Sequence, residues 1–216
     1  MQENVDFKQF VMFDYKPITQ DIWYWDNALS FPKELKEFID QVEEYPESHS
    51  RISKWQDWTA SNDSDLLYGK NNVMNKEAFK VSTGSDIADK RSLYIYNSFM
   101  MAFEMCADRY LAAHNLDKNN YNLDLERITI KAWNEGQSMG PHFDGQDGNK
   151  DLAFSLVAYI NDDYDGGEIS FPNHKVTIKP KAGSVIMFPS QEPYIHEVKP
   201  IISGQRYMSP AHIYIK

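Results

Sequence analysis

Four residues near the C-terminus have the types and spacing of a metal site with an anchor for an anionic ligand. His142 and Asp144 stand two apart in PHFDG, His196 follows about fifty positions later, and Arg206 comes ten beyond that. On a β-strand, side chains two apart leave the same face, so His142 and Asp144 can reach one ion together. A nitrogen from a distant strand, His196, would complete a set of two histidines and one carboxylate. Such a triad leaves coordination positions open on one side, as non-haem Fe(II) requires if it is to take up an organic co-substrate and O₂ together. One H-x-D is weak on its own because short patterns arise by chance. The order, the strand phase and the downstream arginine give the set its weight.

From about Leu125 onward, short apolar runs alternate with turns. They predict eight strands, at 126–133, 139–144, 152–160, 168–171, 175–179, 184–188, 195–199 and 206–215. Segments rich in Gly, Pro, Asn and Asp, such as NEGQSMG and NDDYDGG, separate them. This density of strands predicts a mainly β fold, a double-stranded β-helix of the jelly-roll, cupin-like kind. His142 and Asp144 then end the second strand, His196 opens the seventh and Arg206 opens the eighth, so all converge at one open end.

Residues 1–122 read as a helical and loop support for this core of 123–216, the whole forming a single domain 1–216. A helix is predicted over 32–42, opening on Pro32 and presenting Leu35, Phe38, Ile39 and Val42 on one face. A longer one over 85–114 backs the sheet, its methionines filling core gaps and Cys106 serving as a small buried hydrophobe. Between them, 50–81 reads as loop and short strand, where Trp55 and Trp58 either pack on the core or form a rim that grips substrate.

Composition narrows the setting. Thirty-two acidic against 22 basic residues give a net charge of −10, which disfavours nucleic acid as a partner. With one cysteine there is no intrachain disulfide and no thiolate zinc site. No basic leader and no run of about 18 apolar residues is present, so neither membrane association nor export is expected, and a cytoplasmic protein is the simplest reading. Oligomeric state is not legible.

PHFDG, YINDDYDGGEISFP, AGSVIMFPS and HEVKPIISGQRYMS together resemble the Fe(II)/2-oxoglutarate-dependent dioxygenases, in their prolyl 4-hydroxylase-like branch. The resemblance covers about 127–214. It implies that His142, Asp144 and His196 hold Fe(II), that Arg206 pairs with the distal carboxylate of 2-oxoglutarate, and that O₂ is consumed with release of succinate and CO₂. Arginine suits that task, because its planar fork binds a carboxylate through two parallel hydrogen bonds. The resemblance also offers Tyr159 as a contact to the same carboxylate and Trp133 near a position where relatives use a tyrosine, with ascorbate as a candidate reductant. Asp144 argues against halogenation, since halogenating relatives carry a small residue there. Arg206 is the chain's last arginine, whereas the nucleic-acid demethylating branch usually has another soon after.

Several features have plainer readings. Met208 stands where many relatives have serine, so Ser209 is not taken as a ligand. His212 either lines the pocket or is a satisfied structural histidine, His174 reads as solvated, and Glu168 as a strand-end hydrogen-bonding residue. Gly166 and Gly167 read as a tight turn needing positive φ. The expected substrate is peptidyl proline or another protein side chain. The alternatives are a free amino acid or small metabolite, and, in another class, a non-catalytic cupin-like protein that binds metal or ligand.

Overall fold

The computed structural model describes residues 15–40, 56–60, 63–75, 87–125, 127–146 and 148–216. Fifteen strands occur among them. The large sheet comprises β1 (Tyr15–Pro17), β2 (Trp23–Trp25), β3 (Gln56–Ala60), β4 (Asp63–Asn75), β5 (Tyr121–Asp124), β6 (Arg127–Trp133), β8 (Leu152–Tyr159), β12 (Val185–Pro189) and β15 (Arg206–Ile215). Its order is β1-β2-β12-β8-β15-β6-β4-β3, with β5 paired to the far end of β15. A smaller sheet runs β11-β10-β13-β7, from Val176–Ile178, Ile169–Phe171, His196–Val198 and Met139–His142. A two-stranded ribbon joins β9 (Asp165–Gly166) to β14 (Ile201–Ser203). All pairings are antiparallel, and the two main sheets form the expected double-stranded β-helix.

Alternation along the strands of the large sheet divides the core in two. Ile128, Ile130 and Ala132 of β6, Leu156 and Ala158 of β8, and Val185 and Met187 of β12 join one cluster with α2 (Ile87–Ala113). Their neighbours Trp133, Val157, Tyr159, Ile186 and Phe188 join a second cluster with Ile169, Phe171 and Val198 of the small sheet. The period of two therefore sends one set of side chains to the helix and the other to the space between the sheets. Phe99 and Phe103 of α2 are fully buried against the outer face; burying each stabilises the fold by roughly 1.5–3 kcal/mol. The helix stops where Asn115 turns left-handed at φ 55° and the Leu116 N–H reaches back to the Leu111 carbonyl at 2.9 Å.

The first helix, α1 (Pro32–Asp40), begins on its proline and buries Leu35 and Ile39, with Phe38 against the same cluster; Val42 lies outside the described residues. The reading of 50–81 as loop and short strand needs correction. Within it β3 and the 13-residue β4 form a hairpin that docks on β6, so Trp58 belongs to a strand while Trp55 lies outside the described residues. Pairing with β6 satisfies the backbone of a stretch whose Gly, Asn and Lys content disfavours strand locally.

Candidate metal centre and anion anchor

His142 ends β7 and His196 opens β13, and the two are direct partners in the antiparallel register. Their rings lie 4.3 Å apart. Asp144 Oδ1 is 3.5 Å from His142 Nε2 and 3.8 Å from His196 Nε2, and one ligand atom from each of the three residues lies within 4.8 Å of the others. Each histidine uses Nδ1 elsewhere: His142 against the Gly140 carbonyl at 2.8 Å, His196 against the Tyr194 carbonyl at 3.2 Å. A carbonyl only accepts, so Nδ1 carries a proton; Nε2 faces Asp144, donating to that carboxylate when the imidazole is protonated and offering a lone pair to a metal ion when it is neutral. Phe171 and Phe188 enclose the His196 ring.

The strand-phase expectation for Asp144 is corrected. The strand stops at His142, and Asp144 sits in the turn that follows, closed by the Gln146 N–H to the Phe143 carbonyl. Three contacts hold that turn. The Gly145 N–H donates to the Ser190 carbonyl at 2.8 Å, Ser155 Oγ donates to Asp144 Oδ2 at 2.5 Å, and the Gln191 side chain occupies the space a Cβ on Gly145 would need. Burial alone would raise the Asp144 carboxyl, but the His142 hydrogen bond, His196 and Ser155 outweigh it and hold the group well below the usual carboxylate range. Burial lowers both histidines; in His142 the Asp144 and Gly140 hydrogen bonds overturn it and the net shift is upward, whereas His196 stays lowered.

Arg206 opens β15 opposite Trp133 and has no exposed surface. Its Nη1 donates to the Gly167 carbonyl at 2.9 Å, whereas Nε and Nη2 are buried without a partner. The guanidinium lies 4.4 Å from the Trp133 ring centroid and 5.9 Å from that of Tyr159. Tyr164, also beside it electrostatically, has a buried hydroxyl without a partner. A buried cation with two unsatisfied donors costs several kcal/mol, which an anion bound beside it would offset. The donor set therefore fits a carboxylate, and the nitrogen and oxygen set of the triad fits Fe(II). Trp133 and Tyr159, which touch Arg206, belong to one packed cluster with Phe171 and Phe188, which touch His196. Asn161 fixes the anchor's backbone from both sides: its Nδ2 donates to the Gln205 carbonyl and its Oδ1 accepts from the Tyr207 N–H.

Other expectations fare variously. His212 is half-buried in register with Ser155, among the groups that feel the Asp144 charge. His174 is not solvated as expected: its ring stacks on Tyr194 at 4.6 Å and its Nε2 is buried. Aromatic packing of the short 3-10 turn after β10 draws it in. Gly166 and Gly167 take φ of 74° and 68°, as the tight turn requires. Ser155, Ser190, Asn161 and Tyr164 are not singled out by any motif in the sequence. The available signal was a polar residue inside or just beyond an apolar run, as in LAFSLVAYIN.

Residues 125–214 match the family described as the 2OG-Fe(II) oxygenase superfamily. A PKHD-type hydroxylase of Maricaulis maris is 34% identical over 87 residues, which are 38% of this chain and 39% of that protein. The match thus spans well under half the length of that relative. Among solved structures, a Trichoplax adhaerens prolyl hydroxylase bound to a hypoxia inducible factor oxygen degradation domain peptide fragment superposes with a TM-score of 0.58 at 17% identity, covering 92% of this chain and 86% of that one. The viral collagen prolyl hydroxylase of Paramecium Bursaria Chlorella virus-1, in its 2OG complex, gives a TM-score of 0.53 at 18% identity over 94% and 96%. At these identities the two structures share the fold.

Proposed function

We propose that this chain is a member of the 2OG-Fe(II) oxygenase superfamily and an Fe(II)- and 2-oxoglutarate-dependent dioxygenase that hydroxylates an unactivated C–H bond in a peptidyl proline or another protein side chain. One observation carries the reading. A centre of two histidines and one carboxylate shares its inter-sheet layer with a fully buried arginine that has two unpartnered donors.

In this reading His142, Asp144 and His196 hold the iron through Nε2, Oδ1 and Nε2. Arg206 receives the distal carboxylate of 2-oxoglutarate with Nε and Nη2, a parallel pair that fixes the co-substrate's direction. Trp133 covers the guanidinium face, and Tyr159 with Tyr164 walls the same end and keeps water from the pair. Bound together, iron and 2-oxoglutarate supply O₂ activation with release of succinate and CO₂. Asp144 keeps the carboxylate position filled, which favours hydroxyl transfer over halogenation. The preference for a peptide draws on the prolyl hydroxylase names among the relatives and neighbours.

The test is a mass screen with Fe(II), O₂ and 2-oxoglutarate against proline-containing peptides and free amino acids. A peptide gaining one oxygen, and no gain with Asp144→Ala, is the expected result. Gain confined to free amino acids would move the substrate to a small metabolite. A folded, metal-loaded protein that binds no 2-oxoglutarate would leave a non-catalytic binding protein instead.

A further inference from the structure

We propose that Ser155, backed by Ser190, is a positioning residue for metal binding, holding Asp144 so that a single carboxylate oxygen is presented to the ion. This rests on the function proposed above. Ser155 lies on the inner face of β8 and is 1% exposed, as is Ser190 just beyond β12. Its Oγ stands 2.5 Å from Asp144 Oδ2 and 2.7 Å from Ser190 Oγ.

Proton inventory fixes the direction of this chain. An ionised carboxylate only accepts, so the one hydroxyl proton of Ser155 goes to Asp144. Ser155 must then accept from Ser190, whose own proton completes the relay. The oxygen so capped is Oδ2, whereas Oδ1 is the atom near both histidine Nε2 atoms. A carboxylate bound through both oxygens would occupy one more coordination position. With Oδ2 engaged by Ser155, that position would be left free for co-substrate or O₂.

The location of the two serines matters as much as their hydrogen bonds. His142 and His196 belong to the small sheet, but Ser155 and Ser190 are anchored to the large one, through the Ser155 to Phe188 register and the Ser190 N–H to the Ala153 carbonyl at 2.9 Å. Asp144 belongs to neither sheet. Ser190 meets its turn twice, through the Gly145 N–H and through Ser155. The relay therefore sets the position of the acidic ligand against the two histidines. Groups that orient a ligand in this way typically change metal affinity by about 10- to 100-fold when removed.

Calorimetric titration of Mn(II) into wild type, Ser155→Ala, Ser155→Thr and Ser190→Ala tests this, with circular dichroism confirming the fold of each. Ser155→Ala should bind Mn(II) roughly 10- to 100-fold more weakly, Ser190→Ala should fall between it and wild type, and Ser155→Thr, which keeps the hydroxyl, should recover most of the loss. A Ser155→Ala protein that binds like wild type would overturn the proposal, as would Ser155→Thr falling equally far. If Ser155→Ala does not fold, an undiminished affinity in Ser190→Ala overturns it. A wild type without Mn(II) affinity would sink the function itself and this inference with it, which is distinct from a failure confined to the variants.

Discussion

Among the described residues, Arg206 is the one buried side chain with two unpartnered polar atoms. It is fully buried, one nitrogen is satisfied by the Gly167 carbonyl and two are not. Charge-assisted hydrogen bonds contribute about 1.5–3 kcal/mol each, so losing a parallel pair to a carboxylate should cost at least about 100-fold in affinity. Arg206→Ala should accordingly raise the half-saturating 2-oxoglutarate concentration at least about 100-fold, and Arg206→Lys should recover only part, because an ammonium cannot offer the parallel fork. Neither change should alter Mn(II) affinity, since Arg206 contributes no ligand. Steady-state titration of 2-oxoglutarate in the decarboxylation reaction measures the first effect; an unchanged half-saturation point would remove Arg206 from the co-substrate site.

Between residue and whole, the turn from β9 to β10 delivers the carbonyl that Arg206 uses. Gly166 has φ of 74°, and a Cβ there would overlap the Pro200 carbonyl oxygen, a backbone atom that cannot swing away. Gly166→Ala should therefore lose roughly 1–3 kcal/mol from backbone strain alone and more from the overlap. Denaturant unfolding would register this as a lower midpoint, and an unshifted midpoint would mean that the turn relaxes freely. This element was readable in advance because a glycine pair between polar turn residues has few other uses. The later strands were equally readable: LAFSLVAY and VIMFP are apolar enough to announce themselves, and His196 and Arg206 open β13 and β15 as expected. Legibility failed where tertiary pairing does the work. β4 contains Gly69, Lys70, Asn71 and Asn72 yet runs as one strand, paired along β3 in its first part and along β6 from Lys70 on. Strands as short as Asp165–Gly166 leave no periodic signal at all. Asp144 marks a subtler case, since H-x-D does bring His142 and Asp144 side by side, but through a turn and not the pleat.

Across the molecule, the candidate metal centre depends on how the large sheet is backed by α2. The large sheet packs its inner face against the small sheet and its outer face against α2, so loosening the helix would free the strands that carry Ser155 and Arg206. Cys106 reports on that packing. It lies in α2 with no exposed surface, and burial pushes its thiol well up from the ordinary value. Native protein should therefore resist alkylation by iodoacetamide at pH 8, where a free thiol with a pKa near about 8.5 is partly ionised; labelling should follow opening of the helix from the sheet. The same shift sets a pH dependence. The folded thiol keeps its proton where the unfolded one loses it, so the associated stability is complete below about pH 8.5 and declines above it, by up to about 1.4 kcal/mol per pH unit. Tyr110, Tyr159 and Tyr164, raised by burial in the same sense, steepen the decline above about pH 10. Denaturant midpoints compared between about pH 7 and 10 should fall for wild type and fall less for Cys106→Ala, whose background lacks the thiol's contribution. Native-state labelling as fast as that of the denatured chain would show that α2 does not seal the sheet.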